Sequence, residues 1–167
     1  MNVNLIIDGI LDRVKEGTPP YLSKGDAGGR TSWGISERAH PEAWLSGPPT
    51  REIARAIYLA VYVTPFFALQ GIASDALITA LVDDAVMSGV DAAIKRLQWV
   101  LGIHGDGVIG KDTLAAVRIV RPNKLLQRYV IERVVRITRL VERRPTDLTN
   151  LTGWVARILG FLPEAVN

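Results

Sequence analysis

From residue 50 onward, apolar residues recur every three to four positions, a period that leaves little besides packed helices for this chain to form. Residues 3–15 show the same period. Val3, Ile6, Ile7, Ile10, Leu11 and Val14 share one face, with Asp8, Asp12, Arg13 and Lys15 elsewhere. Gly17, Pro19 and Pro20 stop that helix. Between the two helical regions, residues 17–49 are rich in Gly and Pro, with room for a short hairpin around "KGDAGG". The expected fold is therefore mainly α, with a small β-hairpin and loop lobe near residues 17–36. A chain of 167 residues is expected to form one domain, residues 1–167, in which residues 1–70 make an N-terminal region and residues 71–167 a helical one.

The helix boundaries follow from punctuation. Thr50 caps "REIARAIYLAVYV", which is expected to run to Pro65. Ser74 caps "ASDALITALVDDAVMSG", and Gly89 ends it. "VDAAIKRLQWVLGI" places Ala92, Ala93, Leu97 and Leu101 on one face, and "HGDGVIG" is a loop. "KDTLAAVRIV" is a short helix with Asp112 near its start. "NKLLQRYVIERVVRITRLVERR" is the longest helix. Val130, Val134, Ile137 and Val141 form its apolar stripe, with Arg133, Arg136, Arg139 and Arg143 expected on a solvated face. "LTGWVARILGFL" is the last helix.

Charge is unevenly spread. Residues 118–144 hold nine Lys or Arg and two acids, a net of +7, which leaves −4 for the rest of a chain whose total is +3. Such a face suits an anionic partner such as cell-wall polymer, a membrane surface or nucleic acid. The absence of Cys excludes a disulfide scaffold, a thiol nucleophile and thiolate-bound zinc. Asp8 and Asp12 inside the first apolar pattern, with no basic region before it, argue against a secretory signal, and no run reaches 18 apolar residues.

The chemistry concentrates in "VKEGTPPYLSKGDAGGRTSWGIS". Glu16 closes a helix, where the backbone dipole disfavours an anion and favours a protonated carboxyl. A carboxylic acid held protonated near neutral pH is what a general acid needs. Asp26 lies in a Gly-rich loop; it either organises the turn or faces Glu16 as a second carboxylate. Thr31 offers a hydroxyl to hold a water between them. Glycoside cleavage uses such a pair, one group protonating the leaving oxygen and the other stabilising positive charge or activating water. Ser32 and Trp33 follow, the indole giving a face for a sugar ring.

Glu16-Gly17-Thr18, Asp26-Ala27-Gly28-Gly29 and Thr31-Ser32-Trp33-Gly34-Ile35 stand in order here, followed by "AVMSG", "AAIKRLQWVLG", "DGVIGKDTLAAV" and "GWVARI". In these blocks the chain resembles the phage endolysin muramidases of glycoside hydrolase family 108, with their peptidoglycan-binding-type C-terminal region. The chain departs from that pattern at Thr18, Ala27 and Met87, and in its interval of 15 residues from Glu16 to Thr31. The resemblance implies a lysozyme-like fold. It also implies hydrolysis of the β-1,4 bond between N-acetylmuramic acid and N-acetylglucosamine, with Glu16, Asp26 and Thr31 catalytic. Ser32 and Trp33 are expected on the substrate; Tyr62, four residues after Tyr58, reads either as core or as a residue lining the sugar cleft, and Gln98 either faces the cleft to bond a sugar amide or is a solvated helix residue. Peptidoglycan is the expected partner, reached from the host cytoplasm through a holin lesion. A lytic transglycosylase on the same scaffold and a non-catalytic wall-binding protein are the rival readings.

"GDGVIGKD" imitates a phosphate-binding loop, but Asp112 replaces the hydroxyl residue and a helix, not a strand, precedes it. His40 and His104 are too isolated for a metal site. No metal and no cofactor are expected, and no motif reads nucleic-acid bases. Residues 124–144 are expected to meet an anionic outer-membrane surface, and the chain to be a monomer.

Overall fold

The computed structural model describes residues 2–14 and 29–162; Glu16 and Asp26 therefore lie outside the described residues, as does nearly all of "KGDAGG". The architecture is mainly helical, and the chain divides into two compact units, residues 2–64 and 65–162.

In the first unit, α1 (Val3–Val14) buries Ile6, Ile7, Ile10 and Leu11, the stripe expected from its period. A two-stranded antiparallel hairpin follows, β1 (Thr31–Ser32) and β2 (Ile35–Ser36), with Thr31 opposite Ser36 and Ser32 opposite Ile35. It falls within the small hairpin and loop lobe expected near residues 17–36. Arg30 closes its open end by donating from two nitrogens to Glu37, at 2.8 and 2.7 Å. A short 3-10 turn, Pro41–Trp44, leads on to α2 (Arg51–Ile57). The Thr50 hydroxyl caps α2, accepting from the Ile53 amide at 3.3 Å.

The helix does not stop at Pro65. It widens into a π segment, Tyr58–Val63, and then tightens into a 3-10 segment, Thr64–Leu69. Pro65 has no N–H to donate and crowds the carbonyl a turn earlier. The chain accommodates this by shifting register: both the amide and the hydroxyl of Thr64 reach the Leu59 carbonyl. Among the described residues, Arg51–Leu69 is long and apolar enough to cross a membrane by length and composition, with a mean hydropathy of 1.4. Ala54, Tyr58, Tyr62, Val63, Phe66 and Leu69 along it are buried, as core residues of a globular protein are.

Ion pairs bind α1 to α2. Asp8 accepts from Arg51 at 3.0 Å and from Arg55, whose other nitrogen reaches Asn4 at 2.8 Å. Partial burial works against the Asp8 carboxylate, but the two guanidinium groups outweigh it and hold its pKa below 3.8. A depressed carboxylate adds stability above its unfolded pKa, and that contribution disappears as pH falls through the folded one. Asp8→Asn should therefore melt below the parent protein at pH 6, with the gap closing as pH falls through the lowered pKa of Asp8; a gap that persists in strong acid would refute this role.

The second unit is a helical stack of α3 (Asp75–Ser88), α4 (Val90–Leu101), α5 (Lys111–Ile119), α6 (Pro122–Arg143) and α7 (Leu148–Leu159). Ser74 caps α3 through the Leu77 amide, at 3.2 Å. Only Gly89 separates α3 from α4; its φ of +89° makes so abrupt a reversal possible without strain. α3 packs on α4 and α6, and α6 packs on α7. Leu77, Leu81, Leu97, Leu126, Tyr129 and Val130 fill the centre of this unit.

Candidate functional site

The hairpin turn is the unusual feature of the first unit. Its two loop residues, Trp33 and Gly34, both have positive φ, 53° and 75°, as a tight two-residue hairpin turn requires. Glycine adopts this conformation freely, whereas a tryptophan there costs about 1–2 kcal/mol. Neighbours hold it in place. The Tyr58 hydroxyl donates to the Trp33 carbonyl at 3.1 Å, and the Arg51 guanidinium lies 6.0 Å from the centre of the indole. Strain of this kind gathers at functional sites. Trp33 is thus a half-buried aromatic presented at the tip of a braced turn.

Other expected residues are placed differently. Thr31 is half-buried in β1. Ser32 is buried and donates to the Pro49 carbonyl at 3.2 Å, so its hydroxyl anchors the hairpin rather than facing solvent. Tyr62 is almost buried. Its ring packs 5.7 Å from that of Tyr58, and its hydroxyl meets His40 Nε2 at 2.7 Å. Burial raises the Tyr62 pKa, which keeps the phenol neutral. His40, isolated in sequence, is therefore a positioning partner of Tyr62. Thr31, Ser32, Trp33 and Tyr62 all belong to the first unit, and Gln98 belongs to the second.

Gln98 has no amide left for a sugar. It is buried; its Nε2 donates to Asp106, to the Val108 carbonyl and to Thr113, at 2.6, 3.0 and 3.1 Å, and its oxygen accepts from Gly107 at 2.9 Å. "HGDGVIG" is thus a loop wrapped around one side chain. The Val108 amide and then Gln98 hold the Asp106 carboxyl below its usual range. Gln98→Ala removes the four hydrogen bonds that hold the loop and Thr113 to α4 and should lower stability by about 1–3 kcal/mol, measured by denaturant unfolding. A change under about 0.5 kcal/mol would contradict this account of the loop.

The strongest polar constellation lies in the second unit, and its central arginine departs from the solvated face expected of it. Arg133 is buried, not solvated. It donates to Asp83 at 2.7 Å and to the Ala80 carbonyl at 3.3 Å, with its guanidinium 5.4 Å from the Phe161 ring centre. Asp83 also accepts twice from Arg157, at 3.0 and 2.8 Å. Neighbouring Asp84 accepts from Arg96, from the Tyr129 hydroxyl and from Ser88. Burial, reinforced by the charge on Asp84, pushes the Tyr129 pKa well up, so the phenol stays a donor. Two acids thus face three arginines in the interior. The sequence signal was "DD" inside an otherwise apolar helix, a pair that needs cationic partners to be buried at all.

Comparison with known proteins bears on both units. The structure of SagA from Brucella abortus matches with a TM-score of 0.68 over 99% of this chain and 98% of that one, at 24% sequence identity; the two share a fold. Residues 92–159, from α4 to α7, match the family described as "Predicted Peptidoglycan domain". The similarity to a peptidoglycan domain is confined to this C-terminal segment and supports an association with the bacterial cell wall. No curated protein matches the chain.

Proposed function

We propose that this protein is a peptidoglycan hydrolase that cleaves the β-1,4 bond between N-acetylmuramic acid and N-acetylglucosamine. The observation that carries the reading is the peptidoglycan domain over residues 92–159, which supplies the polymer as partner. Upstream, Glu16, Asp26 and Thr31 offer the acid, the countercharge and the water-positioning hydroxyl that such cleavage uses. Glu16 protonates the glycosidic oxygen. Asp26 stabilises the oxocarbenium-like state or, with Thr31, directs water. Trp33, held at φ 53°, stacks on a sugar ring.

A second reading, a wall-binding protein without catalysis, is favoured by the confinement of the family match to the C-terminal segment. Mass spectrometry of material released from purified sacculi separates the readings. Hydrolysis gives fragments with water added at the reducing end. Anhydro ends assign a transglycosylase, and no released fragments leave only binding. Trp33→Asn provides a further check. Asn tolerates positive φ, so melting should change by no more than a few degrees. Loss of stacking should weaken sacculus retention by roughly fivefold to a hundredfold. Unchanged retention would remove Trp33 from the binding surface.

A further inference from the structure

A cavity of about 230 Å³ opens in the second unit between the end of α3, α4 and the C-terminal half of α6. Arg96, Arg133, Arg136, Arg139 and Arg143 line it with one acid, Asp84. Asp84 is already committed to Arg96, Tyr129 and Arg133, and Arg136 pairs with Glu132 at 2.9 Å. Arg139 and Arg143 have no ion-pair partner among the described residues, and the buried Nε–H of Arg96 finds no hydrogen-bond acceptor, whereas that of Arg133 lies 3.5 Å from Asp84. An unsatisfied buried donor is costly, and a guanidinium edge is shaped for a planar, two-oxygen anion. The volume is below that of ordinary small-molecule pockets, so it suits a single anionic group rather than a sugar pair.

We propose that this cavity binds carboxylates of the peptide stems of peptidoglycan. The proposal rests on the cell-wall reading. The glycan strand of that polymer is neutral, and its free carboxylates sit on the stems, so a five-arginine cavity within α3, α4 and α6 complements the stems alone. The two catalytic-side features, Glu16 and Trp33, then address the sugar, while this cavity addresses the peptide.

The test is co-sedimentation of the full chain with intact sacculi, with sacculi whose stem carboxylates have been converted chemically to amides, and with phosphatidylglycerol vesicles. Wild type should bind intact sacculi at least tenfold more tightly than amidated sacculi. Arg139→Gln/Arg143→Gln, at two exposed positions, should lose about tenfold on intact sacculi and nothing on amidated sacculi, with melting unchanged. Equal binding of wild type to both polymers, or an unaffected double variant, overturns the cavity assignment while leaving the cell-wall reading standing. Loss by the variant on vesicles alone assigns the arginines to a lipid surface and overturns it too. Failure of wild type to bind intact sacculi removes the cell-wall reading and the proposal together.

Discussion

Glu16→Gln should lower the rate of sacculus solubilisation by roughly two to four orders of magnitude while leaving melting and sacculus binding unchanged. Gln keeps the size and hydrogen-bonding reach of Glu but has no proton to give, so the leaving oxygen departs unprotonated. Binding should survive because the segment similar to a peptidoglycan domain, residues 92–159, lies far along the chain from position 16. Asp26→Asn and Thr31→Ala should give smaller losses, since a countercharge and a positioned water assist a step that the acid initiates. Wild-type rates in Glu16→Gln would remove Glu16 as the acid.

Asp84→Ala should destabilise the fold by about 3–5 kcal/mol. The Asp84 side chain is 3% exposed, and those of Arg96 and Arg133 are 9% and 1% exposed. Removing the carboxylate strands the buried Arg96 guanidinium, leaves Arg133 to Asp83 alone, and leaves the Tyr129 phenol only the longer bond to the Ala93 carbonyl, at 3.3 Å. For a chain of this size, that corresponds to a fall in melting temperature of roughly 10 °C. The unequal count of acids and arginines sharpens the expectation, because Asp83 is already shared between Arg133 and Arg157 and has little capacity to compensate. A loss under about 1 kcal/mol would mean that water, rather than the acid pair, satisfies these arginines.

Features set by neighbouring residues were legible in the sequence. The α1 stripe, the caps at Thr50 and Ser74 and the stop at Gly89 each depend on residues within one or two helical turns. Position 65 was misjudged because loss of one N–H need not end a helix when the register can change, as Thr64 and Leu59 show. Arg133 was misplaced for a different reason. It lies three residues after Val130 and four before Ile137, on the apolar face, and its charge alone suggested solvent. Its partner Asp83 is 50 residues away, and such a pairing leaves no local period. Gln98 shows the same limit: a polar side chain on a helix is equally suited to water, a sugar or a loop, and only the path of residues 102–110 decides. At the proposed catalytic site, Thr31 and Trp33 are positioned by the hairpin, whereas Glu16 and Asp26 are assigned from sequence.

The most direct measurement counts new reducing ends in purified sacculi per molecule of bound protein, for wild type and Glu16→Gln at matched occupancy. Hydrolysis predicts a steady rise with time for wild type and a nearly flat line for the variant. Reducing ends that stay at the level of untreated sacculi while wild type remains bound would contradict it.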